Sequence, residues 1–131
     1  KLFNGDKEIG KQLVEPTRIY VKEVMNLIKQ VDVHGIAHIT GGGLDNISRI
    51  NDKMQYVIDK PLPVPSVFDW LQQRGDVEDS EMYRTFNMGM GMIIIVDKND
   101  AEKSVSLLGK YAQLIGSVKN GKGILHTAIS S

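Results

Sequence analysis

The chain has 131 residues, no cysteine, and sixteen basic residues against sixteen acidic ones, for a formal net charge of zero. This length supports one ordinary hydrophobic core but not two comfortable domains, and the balanced charge gives no global field that would favour nucleic acid or an anionic membrane. Without cysteine there are no disulfides or thiolate metal sites, and the longest apolar run, Met92 to Val96, is far short of the roughly 20 residues of a membrane helix, so the expectation is a soluble, cytoplasmic protein.

Residues 1–15 show no clean periodicity and read as a linker or residual upstream segment; residues 16–131 read as a single domain. Beyond Pro16, Val21, Val24, Met25 and Ile28 recur at helical spacing with Lys22, Glu23, Asn26 and Lys29 opposite, which predicts an amphipathic helix over 19–30. "VHGIAHIT" predicts a strand ending at Thr40. Three glycines follow, and "LDNISRI" predicts a short helix with Asp45 in its first turn. "MQYVID" predicts a second strand, followed by a proline-rich connection, "KPLPVP". Pro65 then opens a helix, "SVFDWLQQRG", with Val67, Phe68 and Leu71 on one face, Trp70 beside them and Gly75 as its stop.

"EDSEMYRTF" predicts a further helix, its acidic residues matched to the helix dipole. "MGMGMIIIVD" is the strongest strand signal, and its non-alternating apolar run predicts a central strand covered on both faces. "NDAEKSVSLLGKYA" predicts a helix capped by Asn or Asp. The last stretch predicts two strands around an Asn-Gly turn, a hairpin signal. Together these elements predict an α+β (mixed α/β) fold, a layered mixed β-sheet flanked by helices.

Glycines between a strand and a helix expose backbone N–H groups and accommodate an anion, but they also suit a plain tight turn, and the backbone pattern leaves both readings open. The stretch lacks a P-loop lysine. "GMGM" lacks a third glycine and opens a strand, so it is no dinucleotide fingerprint. His38, two residues before Thr40, is placed either to face whatever the loop holds or to be a hydrogen-bonded core residue. Arg49 suits a bidentate phosphate clamp or a solvated face. Asn87 and Gly89 mark either a ligand approach or a β-bulge. Glu78, Asp79 and Glu81 read as a dipole-matched first turn, and His34 and His126 have no metal-ligand spacing with each other or with His38.

Four blocks in this order, "EPTRIYVK", "AHITGGGLDNISR", "VFDWLQQRGDV" and "EMYRTFNMGMGM", resemble the C-terminal domain of the aminoimidazole ribonucleotide synthetase family, the phosphoribosylformylglycinamidine cyclo-ligases of purine biosynthesis. The "EMYRTFNMGMGM" block favours this resemblance over a related ATP-using superfamily member such as formylglycinamidine ribonucleotide synthetase; a non-catalytic phosphate-binding module is the alternative from another class, which an upstream domain of comparable size would disfavour. Ser48 stands where the family usually has proline, and Asn51 where it usually has an apolar residue.

The resemblance implies an ATP-dependent ring closure of formylglycinamidine ribonucleotide to aminoimidazole ribonucleotide, ADP and phosphate. It implies ATP and magnesium held mainly by an N-terminal domain that lies outside this sequence, so that the chain is part of a longer, homodimeric enzyme and is inactive alone. It also implies a cleft lined by Thr40, Gly41, Gly42, Gly43, Asn46, Arg49, Asn87 and Gly89 as substrate- or phosphate-binding residues. His38 has the catalytic role there, by hydrogen bonding or acid-base transfer, and no residue of the chain is expected to ligate metal.

Overall fold

Residues 21–40 and 42–127 are described by the computed structural model of the chain; the segment read as a linker, Pro16 and Gly41 lie outside the described residues. The first helix, α1 (Val21–Ile28), buries Leu27 completely and Val31 just beyond its end, packing this side near a later helix, α4 (Ala101–Leu108). Lys103 of α4 donates from Nζ to the Gln30 carbonyl at 2.9 Å. Most of the stripe predicted to face inward turns out: Val21 is 66%, Met25 52% and Ile28 46% exposed. Amphipathic spacing identifies an apolar face without specifying what covers it.

Strand β1 (Val33–His38) pairs antiparallel with β3 (Met92–Val96), from Val33 opposite Val96 to His38 opposite Met92, with a register shift between Val33 and Gly35. All five β3 residues are half-buried, and β1 is the partner that β3 has among the described residues. The expected central position of "MIIIV" is therefore not what is observed: the strand belongs to a two-stranded ribbon.

After the glycines the chain winds as a 3-10 helix over Gly43–Arg49. Such helices have three residues per turn, so side chains three apart eclipse. Leu44 and Ile47 have this spacing and both are buried, with Ile50 packed against the same cluster. The amide of buried Asn46 donates to the Gly43 carbonyl at 2.7 Å, tightening the first turn. This short helix touches β1, α3 (Asp79–Thr85) and β5 (Gly123–His126), so it joins the ribbon to the rest of the molecule.

Strand β2 (Met54–Ile58) is the middle strand of the second sheet. On one side it pairs antiparallel with β4 (Gly116–Asn120), and on the other parallel with β5. The predicted hairpin is thus two strands that do not pair with each other. The Asn-Gly turn does reverse the chain, but Gly121 passes over Gln55, where an added Cβ would lie 3.1 Å from the Gln55 Cβ, and β2 occupies the place between the strands. Tyr56 anchors the entry to β2 by donating its hydroxyl to the Asn51 carbonyl at 2.8 Å.

Helix α2 (Ser66–Gly75) ends at the glycine expected to stop it. Asp76 takes the left-handed cap at φ 49, a conformation that aspartate tolerates better than most side chains. At the far end, Asp97 caps the 3-10 turn Lys98–Asp100 by accepting from the Asn99 N–H at 2.9 Å, and α4 follows directly. The core comprises Ala37 and Ile39 from the ribbon, Leu44 and Ile47, Tyr56 and Ile58 of β2, Met82 and Tyr83 of α3, and Met88 and Met90. The fold is α+β.

Candidate functional site

Alternation along β1 sends Ala37 inward and leaves His34, Ile36 and His38 exposed. His38 therefore stands on the outer side of the ribbon, not in the core. Beside it, the 3-10 helix presents Arg49, also exposed, while Asn46 is buried beneath. His38, Thr40, Asn46 and Arg49 line one open pocket of about 290 Å³, with Ile36, Ala37 and Ile50 as its apolar walls. Four of the residues singled out from sequence are brought together. The apolar walls were not singled out, though Ile50 follows Arg49 and Ile36 is two residues from His38.

Gly42 and Gly43 shape the turn between these groups for different reasons. Gly43 donates its N–H to the Thr40 carbonyl at 3.0 Å, and Asp45 donates to the Gly42 carbonyl at 3.2 Å. At Gly42 φ is 95, and an added Cβ would meet only the Asn46 amide nitrogen, at 3.7 Å. The backbone conformation alone calls for glycine there. At Gly43 φ is 53, and an added Cβ would run into the Tyr83 carbonyl oxygen and lie 2.7 Å from the Arg84 carbonyl group. The close approach at Gly43 is thus to the backbone of α3.

Asn87 and Gly89 sit apart from this pocket, in the turn between α3 and β3. The Asn87 carboxamide oxygen accepts from the Gly89 N–H at 3.0 Å, and Met90 donates to the Asn87 carbonyl at 2.9 Å. Met88 and Gly89 both have positive φ, 51 and 90. A Cβ at Gly89 would lie 2.8 Å from the Pro65 ring and 3.0 Å from the Pro63 carbonyl. These residues build a turn against the proline-rich connection and do not line the pocket with His38.

The larger depression, about 420 Å³, runs beside β1 from Ile28 to Ile36. It contains His34 and Asp32, whose side chains are 3.9 Å apart and exposed, and none of the residues singled out for binding. The chemistry-bearing groups are in the smaller pocket. Arg49 enters no ion pair among the described residues, so its guanidinium is available to a ligand.

Behind the glycine turn lies a pair of buried rings, Tyr83 and His126, with centroids 4.3 Å apart and planes tilted by 42°. Burial pushes the His126 imidazole below its ordinary pKa and pushes the Tyr83 phenol up, helped by the charges of Asp79 and Asp69. Neither ring stood out in the sequence beyond the lack of metal-ligand spacing for His126.

The family profile described as AIR synthase related protein, C-terminal domain, matches residues 1–127. The chain belongs to this family. It is similar to proteins named phosphoribosylformylglycinamidine cyclo-ligase, being 45% identical over 121 residues to that of Methanopyrus kandleri, an alignment covering 91% of this chain and 35% of the relative. With the Methanocaldococcus jannaschii protein the identity is 46% over 140 residues, covering 98% and 39%. With that of Methanosarcina acetivorans it is 44% over 116 residues, covering 88% and 34%. The chain thus spans little more than a third of the length of these relatives. No helix among the described residues is long and apolar enough to cross a membrane.

Proposed function

We propose that this chain is the C-terminal part of a phosphoribosylformylglycinamidine cyclo-ligase and supplies one wall of its substrate site. The observation that carries this reading is the convergence of His38, Thr40, Asn46 and Arg49 on one pocket in a chain whose relatives bear that name. The substrates are formylglycinamidine ribonucleotide and ATP. In the reaction, ATP phosphorylates the formyl amide oxygen, and the neighbouring amine attacks that carbon, expels phosphate and closes the imidazole ring.

The chain's own groups suit the substrate end of this chemistry. Arg49 presents a planar pair of N–H donors to the ribonucleotide phosphate, the geometry of a bidentate charge-assisted contact. The Thr40 hydroxyl lines the same pocket, and the exposed Gly42 lies in the turn that joins Thr40 to the 3-10 helix. His38, across the pocket, hydrogen-bonds the amidine or relays the proton that the attacking amine gives up. Asn46 spends one donor on the Gly43 carbonyl and so holds the turn that carries these groups. Asn87 and Gly89 serve the site through the turn they form at the foot of β3.

No group of three or more His, Cys, Asp or Glu side chains that could hold a metal ion occurs among the described residues. ATP and magnesium, homodimerisation and a cytoplasmic location belong to this proposal as properties of the longer enzyme.

The test is a turnover assay on the full-length enzyme that carries this chain. It is expected to form aminoimidazole ribonucleotide and ADP from formylglycinamidine ribonucleotide and ATP, while the 131-residue chain alone forms none. Glutamine- or ammonia-dependent amidination of the formylglycinamide ribonucleotide in place of ring closure would replace this reading with the related synthetase. Binding of ribonucleotide without turnover by the full-length protein would favour a non-catalytic module.

A further inference from the structure

The glycine turn beneath the pocket does not stand on its own. Gly43 is pressed against the carbonyls of Tyr83 and Arg84, so the height of α3 sets the height of the turn. The side chain of the same Tyr83 stacks on the ring of His126. His126 closes β5, where it is opposite Ile58 of β2, and the next residue, Thr127, donates its N–H to the Ile58 carbonyl at 3.1 Å. A continuous path of contacts therefore runs from the second sheet through two rings to the backbone of α3, then to Gly43 and the 3-10 helix that carries Asn46 and Arg49.

We propose that the Tyr83–His126 ring pair is a positioning element for the pocket, fixing α3 against the Gly42–Gly43 turn so that Arg49 and Thr40 keep their ligand-binding separation. Both are positioning residues; neither lines the pocket. Two tilted rings at 4.3 Å have a defined offset and angle, since aromatic faces and edges attract in preferred geometries. An aliphatic side chain of similar volume fills the same space without fixing the angle. Planarity, more than bulk, is what the site draws from position 126. The consequence for binding rests on the substrate-site reading above, whereas the mechanical link between the rings and the turn does not.

The experiment compares His126→Phe, which keeps a ring, with His126→Leu, which keeps volume without one, in the full-length enzyme. Two readouts are taken: hydrogen exchange of the peptide spanning residues 39–47, and the KM for formylglycinamidine ribonucleotide. The expected result is exchange at least tenfold faster and KM at least fivefold higher in His126→Leu, with kcat within about twofold of wild type and His126→Phe restoring both readouts.

Equal behaviour of the Leu and Phe variants would make position 126 a core filler and overturn the proposal. So would faster exchange with an unchanged KM in an active enzyme, or a Leu variant that does not fold while the Phe variant does. A wild-type enzyme without ring-closing turnover would refute the functional reading instead, and the proposal would then stand or fall on the exchange result alone.

Discussion

Two apolar stripes on short helices meet opposite fates in this molecule. Leu44 and Ile47 of the 3-10 helix are sealed between the ribbon, α3 and β5, while Val21, Met25 and Ile28 of α1 lie open to solvent. The first region has every feature of a packed interior: eclipsed apolar residues, a buried amide bonded to the backbone, and a glycine admitted only because α3 comes so close. In the second, Leu27 and Val31 are buried and Val24 is half-buried, while Val21, Met25 and Ile28 stay exposed. Buried apolar packing is therefore concentrated around the glycine turn on which the candidate site is built.

The contrast is broken most directly by cutting into each region. Met82, fully buried beside the turn, is expected to lose about 2–5 kcal/mol of stability on replacement by alanine. Met25→Ala on the open face of α1 is expected to change stability by no more than about 0.5 kcal/mol. Denaturant unfolding of the two variants checks this, and comparable losses would mean that α1 is packed after all.

A finer version separates the two glycines. Gly43→Ala drives a methyl group into the backbone of α3 and is expected to cost roughly 2–3 kcal/mol, as overpacking does. Gly42→Ala meets no such obstacle and carries only left-handed strain, about 1–2 kcal/mol. Thermal unfolding of both variants ranks them, and a Gly42 loss exceeding that of Gly43 would reverse the assignment of space to one and conformation to the other.

These residues also show how far the sequence alone could be read. The strands and helices were legible because periodicity of 2 and 3.6 reports a local preference that packing here respects. Pairing was less so: the Asn-Gly signal at 120–121 specifies a reversal, and nothing local says that β2 is inserted between the two arms. The half-buried state of "MIIIV" depends on which strands lie beside it, information that its own composition does not hold. The three glycines read equally as an anion cradle or a tight turn, and only the fold shows that Gly43 lies against the backbone of α3. The grouping of His38, Thr40, Asn46 and Arg49 was legible because all four lie on one strand-turn-helix unit. Asn87 and Gly89 come from a separate turn, and sequence distance gave no measure of their separation from the pocket. The Tyr83–His126 contact joins positions 43 residues apart and left no local trace.

A smaller effect concerns pH. Burial lowers the pKa of His126 in the folded chain, so the unfolded chain takes up the proton first as the solution is acidified. The stability contributed by keeping this ring neutral is complete above the ordinary histidine pKa of about 6.5 and is lost as pH falls from there toward the lowered folded value. Unfolding free energies measured between pH 7 and pH 5 are expected to fall less steeply for His126→Phe than for wild type. Identical slopes would show that the imidazole does not titrate with folding.

The central claim is that the pocket beside the glycine turn receives the substrate phosphate, and Arg49→Ala in the full-length enzyme tests it most directly. Arg49 is exposed and enters no ion pair among the described residues, so its removal is expected to leave the thermal midpoint unchanged. The lost charge-assisted contact, worth about 1.5–3 kcal/mol, is expected to raise the KM for formylglycinamidine ribonucleotide by roughly tenfold or more. An unchanged KM with an unchanged midpoint would contradict the account and leave the glycine stretch as a turn that serves the fold alone.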